Sequence, residues 1–208
     1  LFPLLFSRWR QYWHPPKLPF YYVQLSSLNR PSWPWFRHSQ RKLMRLPPTG
    51  MVVSTDCGDS LDVHYHHKQP VGERLARWAL ARNYGFGLTP SGPLVNQVRS
   101  KGDTIVVSFR YGHGLTTSDG RDPRSFEIAH DDGIFRPAKA VIEGNKVMLT
   151  AEGVKAPRYV RYAWQPFTRA NLVNIDLLPA STFRAKAKAK KHNKHKGQKH
   201  KPRSNHHN

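Results

Sequence analysis

Apolar residues change their spacing twice along this chain. In residues 1–13, Leu4, Leu5 and Trp9 recur near one helical face with Arg8 and Arg10 on others, which predicts an amphipathic helix stopped by Pro15 and Pro16. Residues 19–25, PFYYVQL, are aromatic and β-branched and read as a buried strand. After a proline-rich turn at Pro31 and Pro34, residues 35–46 return to helical spacing, and residues 50–54 form a second short strand. From Pro70 the pattern is helical again: Val71, Leu75, Trp78 and Ala79 share a face, and Pro70 suits a first helical turn. Strand, helix, strand, helix implies a layered α/β sheet. Ligands of such sheets bind outside the carboxyl ends of the strands, which here is the loop from Asp56 to His67.

Beyond Gly92 the spacing becomes period two. TIVVSF, SFEIAH, KAVIEG, KVMLTA and YVRYAW are short alternating segments separated by turn residues, the pattern of an antiparallel β-sandwich over residues 93–184. A Pro/Gly/Ser link at residues 89–92 separates it from the α/β part, residues 1–90. Residues 185–208 hold almost nothing apolar beyond alanine, and cannot bury enough surface to offset their ordering entropy. A disordered Lys/His-rich tail is therefore expected.

With 208 residues, 38% apolar and 12% aromatic, the rest of the chain can build a core. Its net charge of +21 is uneven. Residues 1–50 hold eight Lys/Arg and no acid, residues 51–183 hold 16 against 13, and residues 184–208 hold ten and none. The tail lysines would attract polyanions in a salt-dependent way, the bland alternative being a solvated extension. No apolar run approaches the roughly 20 residues of a membrane-spanning helix, and no leader pattern is visible from Leu1. A leader upstream would direct the protein to the periplasm or beyond; the compartment is otherwise open. Cys57 is the single cysteine, with no adjacent base, and reads as a small buried residue.

The chemistry concentrates in residues 55–84, TDCGDSLDVHYHHKQPVGERLARWALARNY. An Asp-x-His pair, Asp62 and His64, lies between an apolar strand and a helix. A histidine takes a proton from a serine hydroxyl near neutral pH when a carboxylate fixes its tautomer and stabilises its charged form. Asp59 is a second carboxylate within reach of the turn. Gly58-Asp59-Ser60-Leu61 also spells a short hydrolase nucleophile signature, but the Asp-x-x-His that should follow it occurs nowhere, and Ser60 reads as a turn residue.

Together with LFPLLFSRWRQYW, PFYYVQLSSL, the W-x-x-x-R-x-x-Q pattern from Trp33, GMVVSTDCGD, KQPVGERLARWALARNYG, SGPL, FEIA, VRYAW and LPASTFR, this region resembles the C-terminal part of the sialate O-acetylesterase family, SGNH-type carbohydrate esterases, from Leu1 to about Arg184. The resemblance implies a partial SGNH-hydrolase-like layered sheet followed by a β-rich module, and a hydrolase that removes O-acetyl groups from sialic acid or related acetylated carbohydrates. It implies His64 as general base and Asp62 as its orienter, with no cofactor and no metal. The family's Gly-Gln-Ser nucleophile motif and its oxyanion-hole blocks lie upstream and are absent here, so the chain looks like the back half of an enzyme. The family's Asp-Ile-His-Pro stands here as Asp62-Val63-His64-Tyr65, without the proline.

Other constellations are weaker. His64, His66 and His67 offer two ligands on one side of an extended segment, short of the three or four that zinc needs; the tail's five histidines suit adventitious metal. Glu127 and His130 would face opposite sides of a strand and read as surface decoration. Tyr12, Trp13, Trp33 and Trp35 could stack on sugars, although tryptophans are more often core. Arg74 and Arg77 could pair a sugar carboxylate, with solvent the default. The alternative to an esterase is a non-catalytic module whose β-sandwich and basic tail hold acidic glycans or other polyanions; a nucleic-acid protein has only charge to support it.

Overall fold

The computed structural model describes residues 1–13 and 18–188. The proline stop at Pro15 and Pro16 and residues 189–208 of the expected tail lie outside the described residues. The elements run α1 (Phe2–Tyr12), β1 (Phe20–Val23), α2 (Trp33–Leu43), β2 (Thr49–Val52), α3 (Gln69–Arg82), β3 (Leu94–Lys101), β4 (Thr104–Arg110), β5 (Thr116–Thr117), β6 (Phe126–Ala129), β7 (Arg136–Pro137), β8 (Lys139–Glu143), β9 (Lys146–Thr150), β10 (Tyr159–Tyr162), β11 (Leu172–Val173) and β12 (Phe183–Lys186).

β1 and β2 pair in parallel, Phe20 opposite Thr49 and Val23 opposite Val52, with α2 as the crossover. Helix α2 begins two residues before the sequence pattern suggests, because Pro34 sits within its first turn, where the missing N–H costs nothing. Helix α3 packs against both strands at Gly50. A Cβ there would come within 2.5 Å of the Trp78 ring, and the Trp78 indole donates to the Met51 carbonyl. In α1 the buried anchor is Phe6, its ring centroid 4.0 Å from that of Phe20. Leu4, Leu5 and Trp9, on the face expected to pack, are instead exposed, at 61%, 39% and 47%.

Of the remaining strands, β5 and β11 pair as a short two-stranded ribbon, and the other eight form two four-stranded sheets, β12-β10-β6-β7 and β3-β4-β9-β8, face to face. Alternation decides which residues meet: Ile105, Val107 and Phe109 of β4 and Val147 and Leu149 of β9 point inward against Phe126, Ile128, Val160, Tyr162 and Phe183 of the facing sheet. Strand β3 escapes the alternating pattern because a bulge between Val95 and Gln97 shifts its register. The last strand also carries the fold into the segment read as tail. Ala185 and Lys186 pair with Val160 and Tyr159, and Lys188 bridges Arg99, so backbone pairing orders residues 185–188 despite their polar composition. Glu127 is not decoration: it stands opposite Arg161 on the neighbouring strand and accepts two guanidinium hydrogen bonds, at 2.9 and 2.7 Å.

The α/β layer is joined to the sandwich through Arg37 of α2, whose side chain is fully buried. Its guanidinium donates to the carbonyls of Ala163 and Gln165 at 3.0 and 2.5 Å, Pro166 at 3.0 Å and Ser26 at 3.4 Å. Burial lowers its pKa to about 10, which leaves it charged at neutral pH. Gln40, one turn on, accepts from the Leu25 N–H and donates to the Val23 carbonyl, extending the β1 edge. His38 lies in the same junction, 7% exposed, accepting the Arg184 backbone N–H at Nδ1. Burial first, and then the charge of Arg41, push its pKa down to about 3, so it is neutral in the folded protein.

Two outcomes follow for stability. Arg37→Ala removes donors from a cluster of carbonyls in the junction and should lower unfolding free energy by about 2–4 kcal/mol; chemical denaturation checks it, with Arg37→Lys, which lacks the fork, also destabilised. His38 has a folded pKa below its unfolded value, so the unfolded chain binds the extra proton. Its contribution is present above about pH 6.5 and is lost as pH falls from there toward 3, reaching about 2 kcal/mol of lost stability near pH 5. His38→Gln should flatten that slope in unfolding curves taken between pH 7 and pH 5.

Candidate active site

The loop between β2 and α3 leaves the carboxyl end of β2, where a layered sheet presents its ligands. Its first half is pinned. Ser54 Oγ donates to the Gln24 carbonyl at 2.7 Å, and Arg74 of α3 donates to the Val53 carbonyl while gripping Asp56 with two bonds of 2.8 and 2.6 Å. Gly58 presses on Ser27, whose backbone oxygen would lie 2.3 Å from any added Cβ. Ser27 Oγ donates to Thr55 and accepts the Thr168 N–H, so the loop's seat is tied to the sandwich as well. Cys57 is buried beside this seat, and burial pushes its thiol up to about 11, which removes it as a nucleophile near neutral pH.

The second half projects into solvent. Asp59 Oδ1 accepts the backbone N–H groups of Leu61 and Asp62, and these bonds hold its pKa below the usual carboxylate value. Asp62 repeats the device one step on: its Oδ1 accepts the backbone N–H of His64 at 2.7 Å. Asp62 thus sets the backbone at His64, and among the described residues no carboxylate lies within 4 Å of the His64 ring nitrogens. Ser60 occupies the turn, its carbonyl accepting the Asn29 N–H. His64, His66 and His67 are exposed, and among the described residues no group of three or more His, Cys, Asp or Glu comes together as a metal site.

The two arginines read as partners for a sugar carboxylate are already committed. Arg74 holds Asp56, and Arg77 pairs with Asp176 at 3.0 Å while its Nε donates to the Thr89 carbonyl, joining α3 to the sandwich side. Trp33 is half-buried in α2, and Trp35, edge-on to Trp164 at 5.0 Å, still leaves half its surface exposed, as Tyr12 and Trp13 do more fully at the end of α1. Sequence reasoning missed the buried carbonyl-binding role of Arg37. Its signal was present in the W-x-x-x-R-x-x-Q spacing, which puts Trp33, Arg37 and Gln40 on one helix face. No helix among the described residues is long and apolar enough to cross a membrane.

No family model and no curated protein matches the chain. Among solved structures, a novel carbohydrate acetylesterase from Xanthomonas citri superposes with a TM-score of 0.82 at 36% identity. The match covers 86% of this chain and 43% of that one, so the chain spans less than half the length of the enzyme it matches. At that identity and overlap, the α/β layer, the β2–α3 loop and the sandwich together form a carbohydrate-esterase-like fold, similar to the corresponding part of a carbohydrate acetylesterase.

Proposed function

We propose that this chain contributes the base-bearing part of a carbohydrate esterase that hydrolyses O-acetyl esters on sugars, O-acetylated sialic acid among the substrates. The observation that carries the reading is the similarity to a carbohydrate acetylesterase over 86% of the chain, supported by an exposed His64 on a loop whose base is pinned to both layers. In this reading His64 accepts the proton of a serine hydroxyl as that oxygen attacks the acetyl carbonyl, then returns it to the departing sugar hydroxyl; water enters by the reverse sequence. Asp62 orients the imidazole. Its Oδ1 holds the His64 backbone, and its second oxygen, without a protein hydrogen bond among the described residues, accepts the ring Nδ1–H once the His64 side chain rotates. We assign the serine and the oxyanion donors to polypeptide other than these residues, because Ser60 is held in a turn and its hydroxyl has no hydrogen-bonded base among the described residues.

A chimera tests the assignment directly: the matched segment of the Xanthomonas citri enzyme is replaced by residues 1–188 of this chain and hydrolysis of an acetylated sugar is followed. Activity is expected, with His64→Ala lowering kcat by about 10²–10⁴ and Asp62→Asn by less. Full activity in His64→Ala would sink the assignment. In the chain alone, ester hydrolysis abolished by Ser60→Ala would move the nucleophile to Ser60. Gly58→Ala should lower stability by about 1–3 kcal/mol, because the new Cβ must displace Ser27 backbone; thermal unfolding reads that change.

A further inference from the structure

A cavity of about 580 Å³ opens between the end of α2 and the sandwich, at the opposite end of β2 from the His64 loop. Among the described residues, seven that line it are Lys or Arg and none is Asp or Glu: Arg41, Lys42 and Arg45 at the end of α2, Arg110 at the end of β4, and three more along β12 and just beyond it. None of the seven has an ion-pair partner among the described residues, although seven other Lys and Arg side chains of this chain do sit on carboxylates. The helix dipole accounts for cations at the end of α2. It does not account for Arg110 or the β12 residues, which arrive from two different sheets.

Gathering like charges in a half-enclosed space is unfavourable unless a counter-anion enters it. Arg41 registers that strain, since burial and then the Arg45 and Arg110 charges lower its pKa to about 10. Its Nε is buried with no hydrogen-bond partner. The Asn96 and Gln97 amides complete one wall, supplying donors and acceptors for hydroxyl groups. Among the described residues no Phe, Tyr or Trp lines it, hence none offers a platform for stacked bases. A second cavity shares Gln97 and Lys188 with the first and adds Arg99, Lys101 and Lys146 across β3 and β9. One small ion would fill one cavity; two cavities with a common wall suit a chain of anionic units.

We propose that this basic cleft binds an anionic oligosaccharide, with one acidic sugar seated among Arg41, Arg45 and Arg110 and the chain continuing past Lys188 toward Arg99 and Lys101. The choice of a sugar to carry the charge rests on the carbohydrate-esterase reading; the placement of the cations does not. The site belongs to the described part of the chain, Lys186 and Lys188 included, and is separate from any attraction by residues 189–208.

Calorimetric titration of the full chain in 0.15 M NaCl tests the proposal, with trigalacturonate as the carboxylated probe and a heparin tetrasaccharide as the sulfated one. Sodium sulfate and a 12-nucleotide single-stranded DNA are the comparison ligands. Arg45→Gln and Arg110→Gln should each weaken binding of at least one saccharide by about tenfold, the loss of one charge-assisted hydrogen bond. Arg121→Gln, an exposed arginine outside the cavity, should stay within about twofold of the parent. Whichever saccharide shows the loss identifies carboxylate or sulfate as the group recognised. Thermal midpoints of the two cavity variants should be unchanged or higher without ligand, since a repelling charge has been removed, so weak binding cannot be put down to unfolding. The proposal is overturned by equal binding in parent and cavity variants, which would assign the attraction to the tail. It is also overturned by no saccharide binding, or by binding of sulfate or DNA as tight as that of either sugar. No arm reads ester hydrolysis, so failure here leaves the esterase reading standing, and the failure of that reading is seen only in the chimera.

Discussion

The central tie between the two layers of this protein is a buried cation, Arg37, with no carboxylate partner among the described residues. The Arg37 guanidinium replaces its water shell with carbonyls from the β1 exit and from the segment after β10. Dipoles can do this only when several converge in fixed geometry, so the segment after β10 has to be shaped for the job. Ala163 accepts a left-handed backbone, φ 51°, within that segment. Around the clamp lie the aromatic contacts of Trp35 with Trp164 and the neutral His38, and none of these could form if the segment drew away. The β2–α3 loop depends on the same junction at one remove, because Ser27, which supports Gly58, is bonded to Thr168 in the segment that Arg37 holds.

The two halves of that loop show how position and reactivity are divided. Residues 53–58 are tied to α3, to the exit of β1 and, through Ser27, to the sandwich, and they fix where the loop leaves the sheet. Residues 59–68 carry Asp59, Asp62 and the three histidines into solvent on a backbone shaped by successive carboxylate-to-N–H bonds from Asp59 and Asp62. His64 is thus held by its backbone while its ring stands exposed.

Much of this was legible in the chain. The period of the apolar residues located the helices and most of the strands, because burial on one face enforces that period. It failed where another constraint took over: β3 is bulged, β12 runs on into lysine-rich sequence because its partners are backbone groups, and α1 buries Phe6 in place of Leu4, Leu5 and Trp9. Asp62 and His64 could be singled out as a pair, but their geometry could not, since a carboxylate two residues from a histidine serves its backbone as readily as its ring. The basic cleft was illegible for a different reason. Its cations come from α2, β4 and β12, distant in sequence, and local charge counts had drawn attention to the tail.

The apolar face of α1 has a physical consequence of its own. Leu1, Leu4, Trp9, Tyr12 and Trp13 are exposed on a molecule whose net charge is +21. At low ionic strength that charge keeps copies apart, and as salt screens it the oily helix surfaces are free to meet. Self-association of the isolated chain through α1 should therefore strengthen as salt rises, because the charge that opposes it is screened while the apolar contact is not.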